Sequence, residues 1–124
     1  MMAEGLLNMF KTGYNKFNLV GFSLGGQIVG LIGRKIIRLS NQRFIIPRIT
    51  GIDPGKLPPF ITLSFELLNP SDAEFVDVIH VETKYLGSAE STGHSNFWPN
   101  GGNTQPMCKT RIDLGKLEQS VLIS

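Results

Sequence analysis

Apolar residues recur at helical spacing in two stretches of the chain. Leu6, Leu7 and Phe10 predict a helix over Ala3–Lys11. Ile28, Leu31, Ile32 and Ile36, with Lys35 on the same stripe, follow a period near 3.6 and predict a second over Leu24–Leu39. Lys16–Val20 is a short strand candidate that runs into Gly21. Phe44–Ile52 is apolar and β-branched, but Pro47 has no N–H for a ladder, so the ordered strand is expected to begin at Arg48. Asp53-Pro54-Gly55 ends it abruptly. Pro58–Asn69 reads as irregular, Pro70-Ser71-Asp72 as a turn, and Phe75–Val81 as the clearest strand. From there to Cys108 Gly, Ser, Asn and Pro dominate and predict loop. The order helix, strand, helix, strand, strand implies an α/β fold, a mostly parallel sheet with flanking helices. Neither an internal repeat nor a linker divides residues 1–124, so they read as one domain.

Composition narrows this picture only a little. The chain has 124 residues, 41% of them hydrophobic, enough for one packed core. Charged residues make up 18% and the net charge of +2 is scattered, so no basic stripe suggests nucleic acid. No segment is long and apolar enough to span a membrane. Met1–Phe10 lacks the basic start, apolar run and cleavage site of a signal peptide, and Cys108 is the one cysteine. Those two features alone favour the cytosol. The fourteen glycines and seven prolines cluster at Gly21–Gly33, Gly51–Pro59 and Gly93–Pro106, between strongly apolar segments that they punctuate.

The first cluster carries the chemistry. Gly21-Phe22-Ser23-Leu24-Gly25 stands between a predicted strand and a predicted helix. A turn that tight lifts its central hydroxyl into the open, with Gly21 and Gly25 giving room to the neighbouring backbone. The N–H of Leu24, at the positive end of the following helix, would face an oxyanion. Gly30 and Gly33 would let that helix lie close to the sheet. The alternative is that Ser23 is an ordinary helix N-cap. A serine nucleophile needs a base, and the base an orienting carboxylate. Asp53, at the end of a predicted parallel strand, is the first candidate acid, although Asp before Pro-Gly is also a common turn former. Asp77, mid-strand among apolar residues, is the second. The two histidines are His80 and His94, and the order Ser23, Asp53, His94 would fit a hydrolase triad.

Five blocks in order resemble the pancreatic-lipase family, in particular its insect-type neutral lipases and phospholipase A1-like members. They are Val20-Gly-Phe-Ser-Leu-Gly25, Ile49-Thr-Gly-Ile-Asp-Pro54, Asn69-Pro-Ser-Asp-Ala-Glu-Phe-Val-Asp-Val-Ile-His80, Gly93-His-Ser-Asn-Phe-Trp-Pro-Asn-Gly-Gly102 and Gln105-Pro-Met-Cys108. The resemblance implies a partial α/β-hydrolase fold with Ser23 as nucleophile and Asp53 as triad acid. It also implies that His94 is not the base, because the family's catalytic His follows a later cysteine, downstream of the segment matching Gln105–Cys108. The segments that supply this His and the second oxyanion donor are expected to lie outside residues 1–124. Cys108 then reads as half of a disulfide in a secreted, oxidising compartment.

Three departures stand out. Gly26-Gln27 occupies the place where the family usually has Ala-His. Asn69 replaces an Asp beside Asp72 in a stretch that binds calcium in some relatives. A neutral amide weakens a hard-cation site, so no metal is expected, with Asn69 and Asp72 as the residues that would hold one. Asn96 and Trp98 replace Asp and Tyr. The resemblance implies acyl transfer on a lipid ester, at a lipid–water interface, with no cofactor and no nucleic-acid partner. It leaves triacylglycerol against phospholipid, and oligomeric state, open. Without a base, residues 1–124 are expected to be inactive alone. The rival reading is a non-catalytic lipid-binding or yolk-type protein on the same fold, against which the retention of Ser23 and Asp53 weighs.

Overall fold

Four short strands form one sheet in chain order: β1 (Asn18–Phe22), β2 (Arg48–Ile52), β3 (Phe75–Ile79) and β4 (Ser95–Phe97). Every neighbouring pair is parallel, with Phe22 opposite Ile52, Ile52 opposite Ile79, and Ile79 opposite Phe97. The computed structural model describes residues 2–13, 16–56, 66–103 and 105–106. Parallel neighbours need a crossover, and α2 (Leu24–Leu39) makes the first one, after α1 (Met2–Lys11) has opened the chain. This is the α/β arrangement with a mostly parallel sheet that the pattern of elements implies.

Helix α2 and strand β2 run over the residues expected of them. Strand β1 begins two residues later than the apolar run and continues through Gly21 and Phe22, because its whole length pairs with Arg48–Ile52. Strand β4 falls where loop was expected. Ser-Asn-Phe is too short and polar to show a period, and it is a strand because Asp77, Val78 and Ile79 offer it a ladder. The register of α2 also differs. Its buried face is Gly26, Gln27, Val29, Gly30, Ile32, Gly33 and Ile36, whereas Ile28 is 43% exposed. Glycines make up much of that face, which hydrophobicity alone places a third of a turn away.

The glycines are there because the packing is close. A Cβ on Gly30 would stand 2.7 Å from Asp72 Oδ2 and 3.0 Å from Leu68 Cδ1, and one on Gly33 would overlap the Asp72 carbonyl. The helix therefore lies as tightly on the Leu68–Asp72 segment as on β2. The core joins Val29, Ile32 and Ile36 of α2 to Ile46, Ile49, Leu68, Val76 and Val78. Ala3 and Phe10 dock α1 against it, and the Phe10 ring stacks on Phe44 with centroids 5.1 Å apart. On the sheet face away from α2, the registered row Phe22, Ile52, Ile79 and Phe97 is apolar, and Phe22 and Phe97 are more than half exposed.

Asp77 is buried in this same sheet and is fully employed. Its carboxylate accepts from Arg48 Nε and Nη2, each at 2.9 Å, and from Thr50 Oγ1 at 2.9 Å. The Arg48 hydrogen bond holds its carboxyl below the usual carboxylate range, with the Thr50 hydroxyl and the Arg48 charge adding to this and burial opposing it. A depressed folded-state value stabilises the fold while the group is ionised. That contribution is complete above the ordinary value of 3.8 and is lost as pH falls through the lower folded value. Asp77→Asn is accordingly expected to flatten the acid limb of stability below about pH 4. Urea midpoints measured across that range check it, and parallel curves for the two proteins would refute it.

Candidate active site

The turn from β1 into α2 has the strain that its sequence demands. Ser23 has φ 53° and ψ −121°, a conformation that costs a non-glycine residue on the order of 1–3 kcal/mol. Its side chain caps no helix N–H, so the N-cap alternative does not describe it. A Cβ on Gly21 would overlap the Gly25 carbonyl and stand 2.8 Å from Gly26 N, which makes glycine obligatory there. Gly25 differs from the expectation. Among the described residues a Cβ on it meets nothing within 4 Å, so the need for room lies at Gly21 alone. Leu24 begins the helix and is more than half exposed, so its N–H stands at the open end of α2 beside Ser23.

Asp53 follows β2 as Ser23 follows β1, one residue beyond the registered pair Phe22 and Ile52. The two residues are tied through backbone. Ser23 N–H donates to Ile52 O at 2.9 Å, and Gly55 N–H donates to Ser23 O at 3.1 Å. The Asp53-Pro54-Gly55 turn is thus bonded to the Ser23 peptide on both sides. Asp53 itself is at φ 48°, and its N–H donates to Ile79 O at 2.7 Å.

A loop after β3 wraps the Asp53 carboxylate. Oδ1 accepts from Val81 N–H at 2.9 Å and Glu82 N–H at 3.0 Å. The loop then folds back: Gly87 N–H donates to Glu82 O, and the Glu82 carboxylate accepts the N–H groups of Lys84, Tyr85 and Leu86. Gly87 lies against the acid so closely that a Cβ there would stand 2.5 Å from Asp53 Oδ1. Ser88 N–H reaches Pro54 O, and Gly55 and Gly87 form an isolated antiparallel bridge. Both N–H donors sit on one oxygen, and among the described residues Oδ2 is left for another partner. These backbone donors have no sequence signal, and Gly87 is one glycine among fourteen.

The remaining candidates are employed elsewhere. Asp77 serves Arg48 and Thr50, as described above, and not a histidine. His94 lies at the opposite end of the sheet from Ser23, where its Nδ1 accepts from Val76 N–H at 2.9 Å and its ring stacks on Phe75. His80 is fully buried; Nδ1 is 2.8 Å from Ser88 O and Nε2 is 3.2 Å from Asn96 Oδ1, and its ring stacks on Trp98 with centroids 4.7 Å apart. Asn96 Oδ1 also accepts from Thr92 and Gly93 N–H, so Asn96 and Trp98 together build the pocket around His80. His94, which the order of residues offered as a base, and His80 therefore both have structural partners away from Ser23.

Asn69 and Asp72 also have structural work. Asn69 Oδ1 accepts Ser71 N–H while Asp72 Oδ2 accepts Asn69 N–H, a reciprocal cap on the 3-10 turn Pro70–Asp72. Asp72 is fully buried and takes Arg34 Nε at 2.7 Å and Nη2 at 3.1 Å. Burial pushes its carboxyl up, against the pull of the Asn69 N–H and of Arg34. Its charge is thus already answered by an arginine, which is not the donor set of a calcium site. Cys108 and its expected disulfide lie outside the described residues. None of the helices that are described is long and apolar enough to cross a membrane.

Comparison with known proteins shows the family. The family model described as Lipase matches residues 1–123. The chain is 43% identical over 100 residues to lipase member H-B of Xenopus laevis, covering 76% of this chain and 19% of that protein. It is 44% identical over 109 residues to pancreatic lipase-related protein 2 of Rattus norvegicus, covering 81% and 22%. It is also 39% identical over 114 residues to inactive pancreatic lipase-related protein 1 of Homo sapiens, covering 87% and 23%. The chain spans about a fifth of the length of these relatives. A family model matched along nearly the whole chain, on a parallel α/β sheet with a strained Ser turn, assigns it: this chain belongs to the lipase family and carries part of an α/β-hydrolase fold.

Proposed function

We propose that the chain carries the nucleophile and acid of a serine hydrolase for lipid esters, of triacylglycerol lipase or phospholipase A1 type. Ser23 attacks the ester carbonyl, the Leu24 N–H stabilises the oxyanion, and Asp53 orients the histidine that takes and returns the proton. The observation that carries this is the strained, uncapped Ser23 bonded through Ile52 and Gly55 to the Asp53 turn. Neither His80 nor His94 faces Ser23, so the base comes from outside the described residues. One oxyanion donor contributes on the order of 3 kcal/mol to the rate. The substrate is met at a lipid–water interface and the compartment is extracellular, both by resemblance to the family. Residues 1–124 form a single partial domain of the enzyme, with no metal or organic cofactor in the mechanism.

Fluorophosphonate labelling and hydrolysis of a short-chain ester test this. In the complete enzyme Ser23→Ala is expected to abolish labelling and to lower turnover on the order of 10⁶-fold. His94→Ala is expected to leave turnover unchanged. Label on another residue, or turnover that persists in Ser23→Ala, would end the proposal. One relative is named inactive, and it matches 87% of this chain. A complete protein that neither labels nor turns over ester would favour the second reading, a non-catalytic lipid-binding or yolk-type protein on the same fold.

A further inference from the structure

Gln27 is a polar side chain, 2% exposed, on the buried face of α2 one turn beyond Ser23. Both ends of its amide are used, and by different parts of the chain. Nε2 donates to Gly55 O at 3.0 Å, and Oε1 accepts from Leu68 N–H at 2.9 Å. Gly55 in turn donates to Ser23 O at 3.1 Å, an oxygen that also accepts Gly26 N–H at 3.0 Å. Asp53 is two residues before Gly55, with only the rigid Pro54 between them. Leu68 is anchored independently, since Arg34 donates to the neighbouring Leu67 O and pairs with Asp72. The Gln27 amide therefore joins three bodies: the helix behind Ser23, the turn that carries Asp53, and the segment pinned by Arg34.

We propose that Gln27 is a positioning residue, a brace that holds Ser23 and Asp53 in one frame by fixing the Gly55 peptide between them. This rests on the reading of Ser23 and Asp53 as nucleophile and acid. Placement there suits an amide, which offers a donor end and an acceptor end at every pH, and among the described residues neither Gly55 O nor Leu68 N–H has another partner. An apolar side chain of the same length fills the space but leaves Leu68 N–H buried and Gly55 O part-buried without their Gln27 partner, so the peptide that carries Gly55 O is held only through Lys56 N–H on Leu86 O. A neutral imidazole, also one donor and one acceptor, keeps both bonds.

The test compares Gln27→Met with Gln27→His. By amide hydrogen exchange on this chain, Gln27→Met is expected to speed exchange at Gly55 and Gly26 about tenfold or more while Val76 and Val78 are unchanged, and Gln27→His to restore the slow rates. Acceleration throughout the sheet, or none at Gly55, overturns the brace. In the complete enzyme Gln27→Met is expected to lower kcat about 10- to 100-fold with KM changed less than about twofold, and Gln27→His to recover most of that loss near neutral pH. Turnover that falls in Ser23→Ala but not in Gln27→Met overturns the brace and spares the reading beneath it. Turnover indifferent to Ser23→Ala overturns that reading, and the exchange pattern then decides on the brace alone.

Discussion

Gly21→Ala is expected to destabilise the protein by more than about 3 kcal/mol, the largest loss from any single methyl in the site. The added Cβ would overlap the Gly25 carbonyl and stand 2.5 Å from its carbon. Those atoms cannot retreat, because Gly21 is paired with Gly51 in the sheet and Gly25 is in the first turn of α2. Relief requires the helix to move off the strand, which pulls Ser23 from Ile52 O and Gly55. At this chain length the loss corresponds to a fall of roughly 10 °C or more in the melting midpoint. Gly25→Ala is the matched control. Its methyl meets open space among the described residues and raises helix propensity, so stability is expected within about 1 kcal/mol of the parent. Thermal melts of the two variants decide this, and equal losses would mean that the elbow is not built as described.

Asp53→Asn is expected to lower turnover of the complete enzyme about 10⁴-fold while leaving the melting midpoint nearly unchanged. The two halves of that result have one cause. Oδ1 receives both Val81 and Glu82 N–H groups, so an amide keeps its carbonyl oxygen there and preserves the clamp. Its NH₂ then occupies the Oδ2 position, where the N–H of the proposed histidine would need an acceptor. Donor meets donor, and the base is turned away without any loss of fold. A melting midpoint that falls along with the rate would show that Oδ2 has a structural partner. A rate within about tenfold of the parent would remove Asp53 from the triad.

Much of this site could be read directly from the sequence because its parts are local. The Gly21-x-Ser23-x-Gly25 turn, the strand ending at Ile52 and the helix over Leu24–Leu39 each depend on residues within a few positions of one another. What escaped depends on distant chain. Strand β4 exists because β3 is beside it, not because Ser-Asn-Phe favours a strand. The α2 face was misplaced because three glycines define it, and glycine registers no hydrophobicity although it permits the closest approach. Asp77 looked like a carboxylate in need of a histidine until Arg48, one strand away and two rows down, appeared beside it. The clamp on Asp53 is made of backbone N–H groups, which every residue but proline possesses, so no residue type announces it. His94 fits by its position in the order of residues, the resemblance argues against it, and the sheet places it at the end opposite Ser23.

The order of the sheet has a consequence for how the site comes into being. Each strand pairs with the one made just before it, so the sheet grows in a single direction as the chain lengthens. Pairing of β2 with β1, joined through α2, brings Asp53 alongside Ser23. The Val81–Glu82 clamp on the Asp53 carboxylate comes from the loop after the next strand. Ser23 and Asp53 are therefore set side by side by two strands, and the groups that secure Asp53 are supplied by a part of the chain that belongs to neither.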